Sequence, residues 1–89
     1  MAITQRQIEK AVRLAKAYGA KRLILFGRAA EEPEKARDLD LACDGVEGWK
    51  LYELGAKMEE ELRTNVDLIP LTPSTRFTRR VEAKGRVIV

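Results

Sequence analysis

Apolar residues recur every three or four positions from Ile8 through Ala11, Val12 and Ala15 to Tyr18, which places them on one face of a helix. Thr4, with Gln7 three positions later, has the spacing of a capping box, so the helix starts there. Gly19 suits the left-handed position just past its end. From residue 21 the pattern changes. "KRLILF" is continuously apolar at its centre and reads as a buried strand over 21–26, ended by Gly27. "RAAEEPEKAR" is a charged loop. Pro33 bars a long helix through it, and one helical turn fits at 29–32.

A second strand covers 38–43, "DLDLAC", followed by the turn-rich "DGVEG". A second long helix covers 49–63, with Leu51, Leu54, Met58 and Leu62 on one face. Trp49 and Tyr52 open this helix. Packing on the sheet is the favoured reading for them, and an exposed apolar patch for oligomer contacts is the alternative. A third strand covers 66–71, where Pro70 points to an edge position or a strand end. Thr72 and Pro73 read as the N-cap and first-turn pair of a short helix in which Phe77 and Val81 pack together. Gly85 closes that helix, and "RVIV" makes a last short strand. The order is α-β-β-α-β-α-β in one domain over 1–89, an α+β fold with a mixed sheet. The loop between the first two strands is too short for a crossover helix, so those strands are neighbours. A full helix precedes the third strand, so a parallel crossover is expected there.

The second strand carries the chemistry. Side chains alternate along a strand, so Leu39, Leu41 and Cys43 point one way while Asp38 and Asp40 point the other. On the third strand Val66 and Leu68 oppose Asp67 in the same manner. If the two strands are neighbours, three carboxylates converge at one end of the sheet. Like charges so placed repel and raise each other's pKa unless a cation sits among them. Two solvated aspartates on an open sheet face need no function by themselves, so the surrounding pattern has to decide.

Composition narrows the options. The 89 residues are 45% hydrophobic and 35% charged, with 17 basic and 14 acidic side chains for a net charge of +3. Such a chain supports one modest core, which oligomerisation or a bound partner would reinforce. The single cysteine, Cys43, excludes an intrachain disulfide and reads as a small buried hydrophobe. There is no histidine, which removes Ser-His and Cys-His nucleophile schemes and imidazole zinc sites. Oxygen ligands alone favour Mg2+ or Mn2+. Two such ions about 3.5–4 Å apart are the usual arrangement for in-line phosphoryl transfer. No stretch has the apolar length of a membrane span or the core of a signal peptide, so a cytoplasmic protein is expected.

The residues together resemble a family. "LFG", one further residue, nine loop residues, "DLDL", and a later "VDLI" are similar to the signature of the DNA polymerase β-like nucleotidyltransferase superfamily. The resemblance is to its minimal nucleotidyltransferase domains, often paired with a HEPN-domain toxin, and it covers nearly the whole chain. It implies that Asp38 and Asp40 hold divalent metal on a nucleoside triphosphate. Asp67 would complete the metal site and help activate the attacking hydroxyl. Gly27 would let the backbone approach the phosphates. The implied reaction is transfer of AMP from ATP, with pyrophosphate leaving.

The chain departs from the family after Gly27. A second small residue is the rule there, and this chain has Arg28, followed by Glu31, Glu32 and Glu34. A guanidinium can bind phosphate bidentately, or it can pair with the aspartates in the cation's place. Three function classes follow. The first is an adenylyltransferase that acts as an antitoxin on a HEPN-type toxin, with a tyrosine hydroxyl as one acceptor. The second is a protein-binding antitoxin of the same fold with weak or no catalysis. The third is a small basic RNA-binding domain, resting on Arg76, Arg79, Arg80, Lys84 and Arg86. That basic cluster lacks interleaved exposed aromatics, which weakens the third reading.

Overall fold

The structure, a computed structural model, describes residues 2–89. In chain order the elements are α1 (Gln5–Ala17), β1 (Arg22–Phe26), α2 (Arg28–Glu31), β2 (Asp38–Asp44), α3 (Gly48–Leu62), β3 (Asn65–Pro70), α4 (Arg76–Lys84) and β4 (Arg86–Val87). The strands form one mixed sheet in the order β3-β2-β1-β4. β1 runs antiparallel to both β2 and β4, and β3 runs parallel to β2. The adjacency of the first two strands, the parallel crossover and the edge position of the Pro70 strand are as expected.

Both long helices cover one face of the sheet. α1 starts at its capping box: the Gln7 N–H donates to Thr4 Oγ1 at 3.2 Å, and the Thr4 N–H donates to Gln7 Oε1 at 2.9 Å. Such a cap contributes about 1 kcal/mol. Ile8, Ala11 and Ala15 of α1 and Leu51, Leu54, Met58 and Leu62 of α3 are buried against Leu23, Leu25, Leu39, Leu41 and Cys43 of the sheet. Gln7 Nε2 donates to the Leu62 carbonyl at 3.1 Å and ties the start of α1 to the end of α3. Leu54 and Met58 are fully buried. Truncating either to alanine would cost roughly 2–5 kcal/mol, the usual range for a cavity in a packed core.

The opposite face is smaller. Ile24, Ala42, Leu71 and Val81 form a second buried cluster there, with Phe26 and Ile69 at its margin. Val81 brings α4 onto this face. The start of α4 differs from the sequence reading: it begins at Arg76, with Thr75 as its N-cap, rather than after Thr72 and Pro73. The Thr78 N–H donates to Thr75 Oγ1 at 3.1 Å, and the Thr75 N–H donates to Thr78 Oγ1 at 2.7 Å. Thr72 is engaged elsewhere, since its hydroxyl donates to Asp44 Oδ1 at 3.0 Å and holds the chain after β3 to the end of β2. Phe77 does not join Val81 in the buried cluster. It stays 54% exposed, with its ring against Phe26.

Trp49 and Tyr52 are 66% and 86% exposed, so the favoured packing reading is corrected. Both lie off the stripe of Leu51, Leu54, Met58 and Leu62 that meets the sheet, and helical geometry turns them outward. The outer edge of β3 is blunted. The Val66 N–H is taken by Glu59 Oε2 at 3.1 Å, and Pro70 has no N–H to offer.

Candidate active site

The candidate residues gather where β1 ends and β2 and β3 begin. In the parallel pairing Asp38 lies opposite Asn65, and Asp40 opposite Asp67. In the antiparallel pairing on the other side, Phe26 lies opposite Asp40. Residues directly opposite across a ladder point to the same face. Phe26, Asp40 and Asp67 therefore form a row across three strands, with neighbouring strands about 4.8 Å apart. Asp38 stands on the same face two residues earlier. The three aspartates are thus brought together by register, on the face that does not carry α1 and α3.

Their environments differ. Asp38 and Asp67 are exposed, while Asp40 is half-buried in the middle of the row. Burial, with added repulsion from Asp67 and then Asp38, holds the Asp40 carboxyl above the ordinary carboxylate range. Asp38 Oδ1 accepts a hydrogen bond from Asn65 Nδ2 at 3.2 Å. Asn65 escaped the sequence reading because its role depends on the β2–β3 register, which no local pattern prints.

Gly27 stands at the end of β1 with φ +67° and ψ −152°, a combination open to glycine almost alone. A β-carbon there would sit 2.6 Å from Asp40 Oδ2. Glycine is therefore required twice, once by the backbone and once by the carboxylate that lies against it. Arg28 follows, exposed at the start of α2. Among the described residues Arg28 makes no ion pair with any carboxylate, so it does not occupy the place of a cation between the aspartates.

The loop after α2 is pinned. Ala29 and Ala36 are buried, and the Ile3 N–H donates to the Pro33 carbonyl at 2.9 Å. Glu31 and Glu34 are exposed, and Glu32 pairs with Lys35 at 3.2 Å. The acidic stretch is a solvated surface, as its sequence suggests.

The donor set fits a hard divalent cation in kind, since all its atoms are oxygen and Asp40 is crowded by like charge. It is not a closed cage. Among the described residues no group of three acidic side chains is gathered closely enough to hold a metal unaided. That is the usual condition for Mg2+, which binds through one or two carboxylates and completes its shell with substrate phosphates and water. A cavity of about 1000 Å3 lies elsewhere, between α3 and β3, and meets the row only at Asp67. The carboxylates themselves stand on an open sheet face.

Neither the protein-family models nor the curated proteins contain a match to the chain. Solved structures do resemble it. A protein described as a minimal nucleotidyltransferase is 29% identical, with a TM-score of 0.69 over 90% of this chain and 86% of that one. An MNT antitoxin in complex with tri-AMPylated Shewanella oneidensis HEPN toxin gives 21% identity and a TM-score of 0.73, over 93% of this chain and 69% of that one. A toxin–antitoxin structure with AMP-PNP gives 18% identity and a TM-score of 0.75, over 96% and 72% of the two chains. The chain has the fold of a minimal nucleotidyltransferase domain. No helix among the described residues is long and apolar enough to cross a membrane.

Proposed function

We propose that this protein transfers AMP from Mg2+-bound ATP to a hydroxyl group of a HEPN-type toxin and thereby serves as its antitoxin. The observation that carries the reading is the pairing of Asp40 with Asp67 across the β2–β3 ladder, two carboxylates side by side where an ordinary sheet would place neutral residues. The neighbours of the same fold add to it, since one is an antitoxin bound to an AMP-modified HEPN toxin and another carries AMP-PNP.

Each residue has a task in this reading. Asp38 and Asp40 present carboxylate oxygens to the divalent ion, Mg2+ or Mn2+, that accompanies the triphosphate. When bound, the ion neutralises charge on the phosphates and on the departing pyrophosphate. Asp67 completes the acidic set and takes the proton from the attacking hydroxyl. The hydroxyl oxygen bonds to the α-phosphorus as the bond from that phosphorus to the pyrophosphate oxygen breaks. Gly27 keeps the backbone bare beside the phosphates and leaves room for Asp40. Arg28, exposed and free of carboxylate partners among the described residues, supplies a bidentate cation to the terminal phosphates. Most of the rate enhancement in such chemistry is positioning and charge neutralisation, which these groups can provide.

A second reading has its own support. Arg28 replaces a small residue, and Glu31, Glu32 and Glu34 follow it, so a protein-binding antitoxin without turnover would have the same fold. One experiment separates the two. The protein is incubated with its HEPN-type partner, Mg2+ and ATP labelled at the α-phosphate. Label on the partner, lost with Asp40→Asn, supports transfer. A stable complex that carries no label supports binding alone.

A further inference from the structure

We propose that Phe77 is the base-stacking wall of a nucleotide site whose phosphate end is formed by Gly27, Arg28 and Asp40. The inference rests on the nucleotidyl-transfer reading above and extends it from the phosphates to the base. Three observations carry it. Phe26 lies directly across the ladder from Asp40 and immediately precedes Gly27, so its ring borders the carboxylate row. Phe77 meets Phe26 edge to face, with ring centroids 5.8 Å apart and planes at 81°. Phe77 nonetheless stays 54% exposed, although Val81, one turn along α4, is buried.

A phenylalanine present only to seat α4 would be expected to sink beside Val81. Here it rests edge to face on Phe26 and stays half-exposed, on the sheet face that also carries the aspartates. A flat aromatic base attached to a triphosphate fits that arrangement. The base would stack on the aromatic ring while the phosphates run toward Gly27 and Arg28. Arg80 is exposed and lies three residues from Phe77, on the adjoining part of the same helix surface, so the flank of this wall is cationic. Stacking tolerates any base, so Phe77 adds affinity for nucleotides as a class rather than a preference among them.

The test compares ATP with inorganic tripolyphosphate, each titrated with Mg2+ into the full chain by calorimetry. The natural protein is compared with Phe77→Leu and Phe77→Trp, and ATP binding to Asp40→Asn is measured beside these three. Leucine keeps an apolar contact with Phe26 and protects α4 from unfolding, while removing the flat ring. The expected result is a loss of roughly ten- to a hundred-fold in ATP affinity with Phe77→Leu, retention with Phe77→Trp, and unchanged tripolyphosphate binding in both. Equal ATP affinity in all three proteins overturns the assignment of Phe77 and leaves the transfer reading intact. ATP binding that depends on Phe77 but is indifferent to Asp40→Asn places the aromatic in a separate site and also overturns the assignment. If neither ligand binds the natural protein, the transfer reading fails and this inference fails with it.

Discussion

Asp40 lies against Gly27: its Oδ2 is 2.6 Å from the point a β-carbon on that glycine would occupy. The contact makes the glycine a seat for the carboxylate, in addition to the role proposed for it beside the phosphates. Gly27→Ala should destabilise the fold by roughly 1–3 kcal/mol through its backbone conformation alone. It should also push Asp40 from its place and weaken Mg2+–ATP binding. A double-mutant cycle with Asp40→Ala, read by denaturant unfolding, separates the two effects. Part of the cost of Gly27→Ala should vanish when Asp40 is already truncated.

Asp40 also governs a pH dependence. Its carboxyl is raised by burial and by Asp67 and Asp38, so the folded protein holds that proton more tightly than the unfolded chain. Between the ordinary carboxyl value and the raised one, the native state binds more protons, and stability falls as pH rises through that window. Above it the charged side chain is a net penalty. Asp40→Asn should therefore raise the melting temperature slightly at neutral pH and have little effect in acid. The gain should stay below about 1 kcal/mol, because water and salt screen so accessible a group. Millimolar Mg2+ together with ATP should stabilise the natural protein more than this variant.

Arg28 allows the proposed phosphate contact to be tested apart from folding. It is exposed, and among the described residues it makes no ion pair. Arg28→Ser should leave the melting temperature within about 4 °C, since an unpaired surface side chain contributes little to stability. It should weaken binding of Mg2+–ATP by about tenfold, the ordinary worth of a charged hydrogen bond. Tighter binding in Arg28→Ser would show that the guanidinium obstructs the site.

Cys43 should behave as a hydrophobe. Its thiol is buried in the main core, and burial, with Asp44 nearby, pushes its pKa up to about 11. Thiolate is then scarce at pH 8, and reagent cannot reach it. Labelling by a thiol-specific disulfide reagent should be slow in the native protein and complete within seconds in denaturant. The native rate should track the opening of the core.

Trp49 offers a spectroscopic handle as the chain's single tryptophan, 66% exposed. Its emission should resemble that of tryptophan in water, and Trp49→Ala should change stability by no more than about 0.5 kcal/mol. A blue shift on adding the proposed HEPN-type partner would place the first turn of α3 in the contact.

The sequence was a good guide wherever local pattern and local chemistry agree. The Thr4–Gln7 box, the apolar stripes of α1 and α3, and the alternation of Asp38 and Asp40 are all read within a few neighbouring residues. The loop from Thr72 to Thr75 misleads because it holds three hydroxyl residues able to cap a helix, Thr72, Ser74 and Thr75. The choice among them depends on Asp44, a distant residue that engages Thr72. Trp49 and Tyr52 were misjudged for a related reason. Aromatic character suggests burial, but position on the helix decides it, and both lie outside the stripe set by Leu51 and Leu54. The Asp38–Asn65 contact and the Phe26–Asp40–Asp67 row needed the register, which only the folded sheet supplies.

The carboxylate strand β2 is enclosed between β1 and β3, with its amides committed on both sides. Such an inner strand opens only when the whole domain does. In a hydrogen–deuterium exchange experiment its amides should be among the last to exchange, long after the ends of α4 and β4. The aspartates are thus mounted on the slowest-breathing part of the molecule, and their spacing should survive fluctuations that loosen the elements around them.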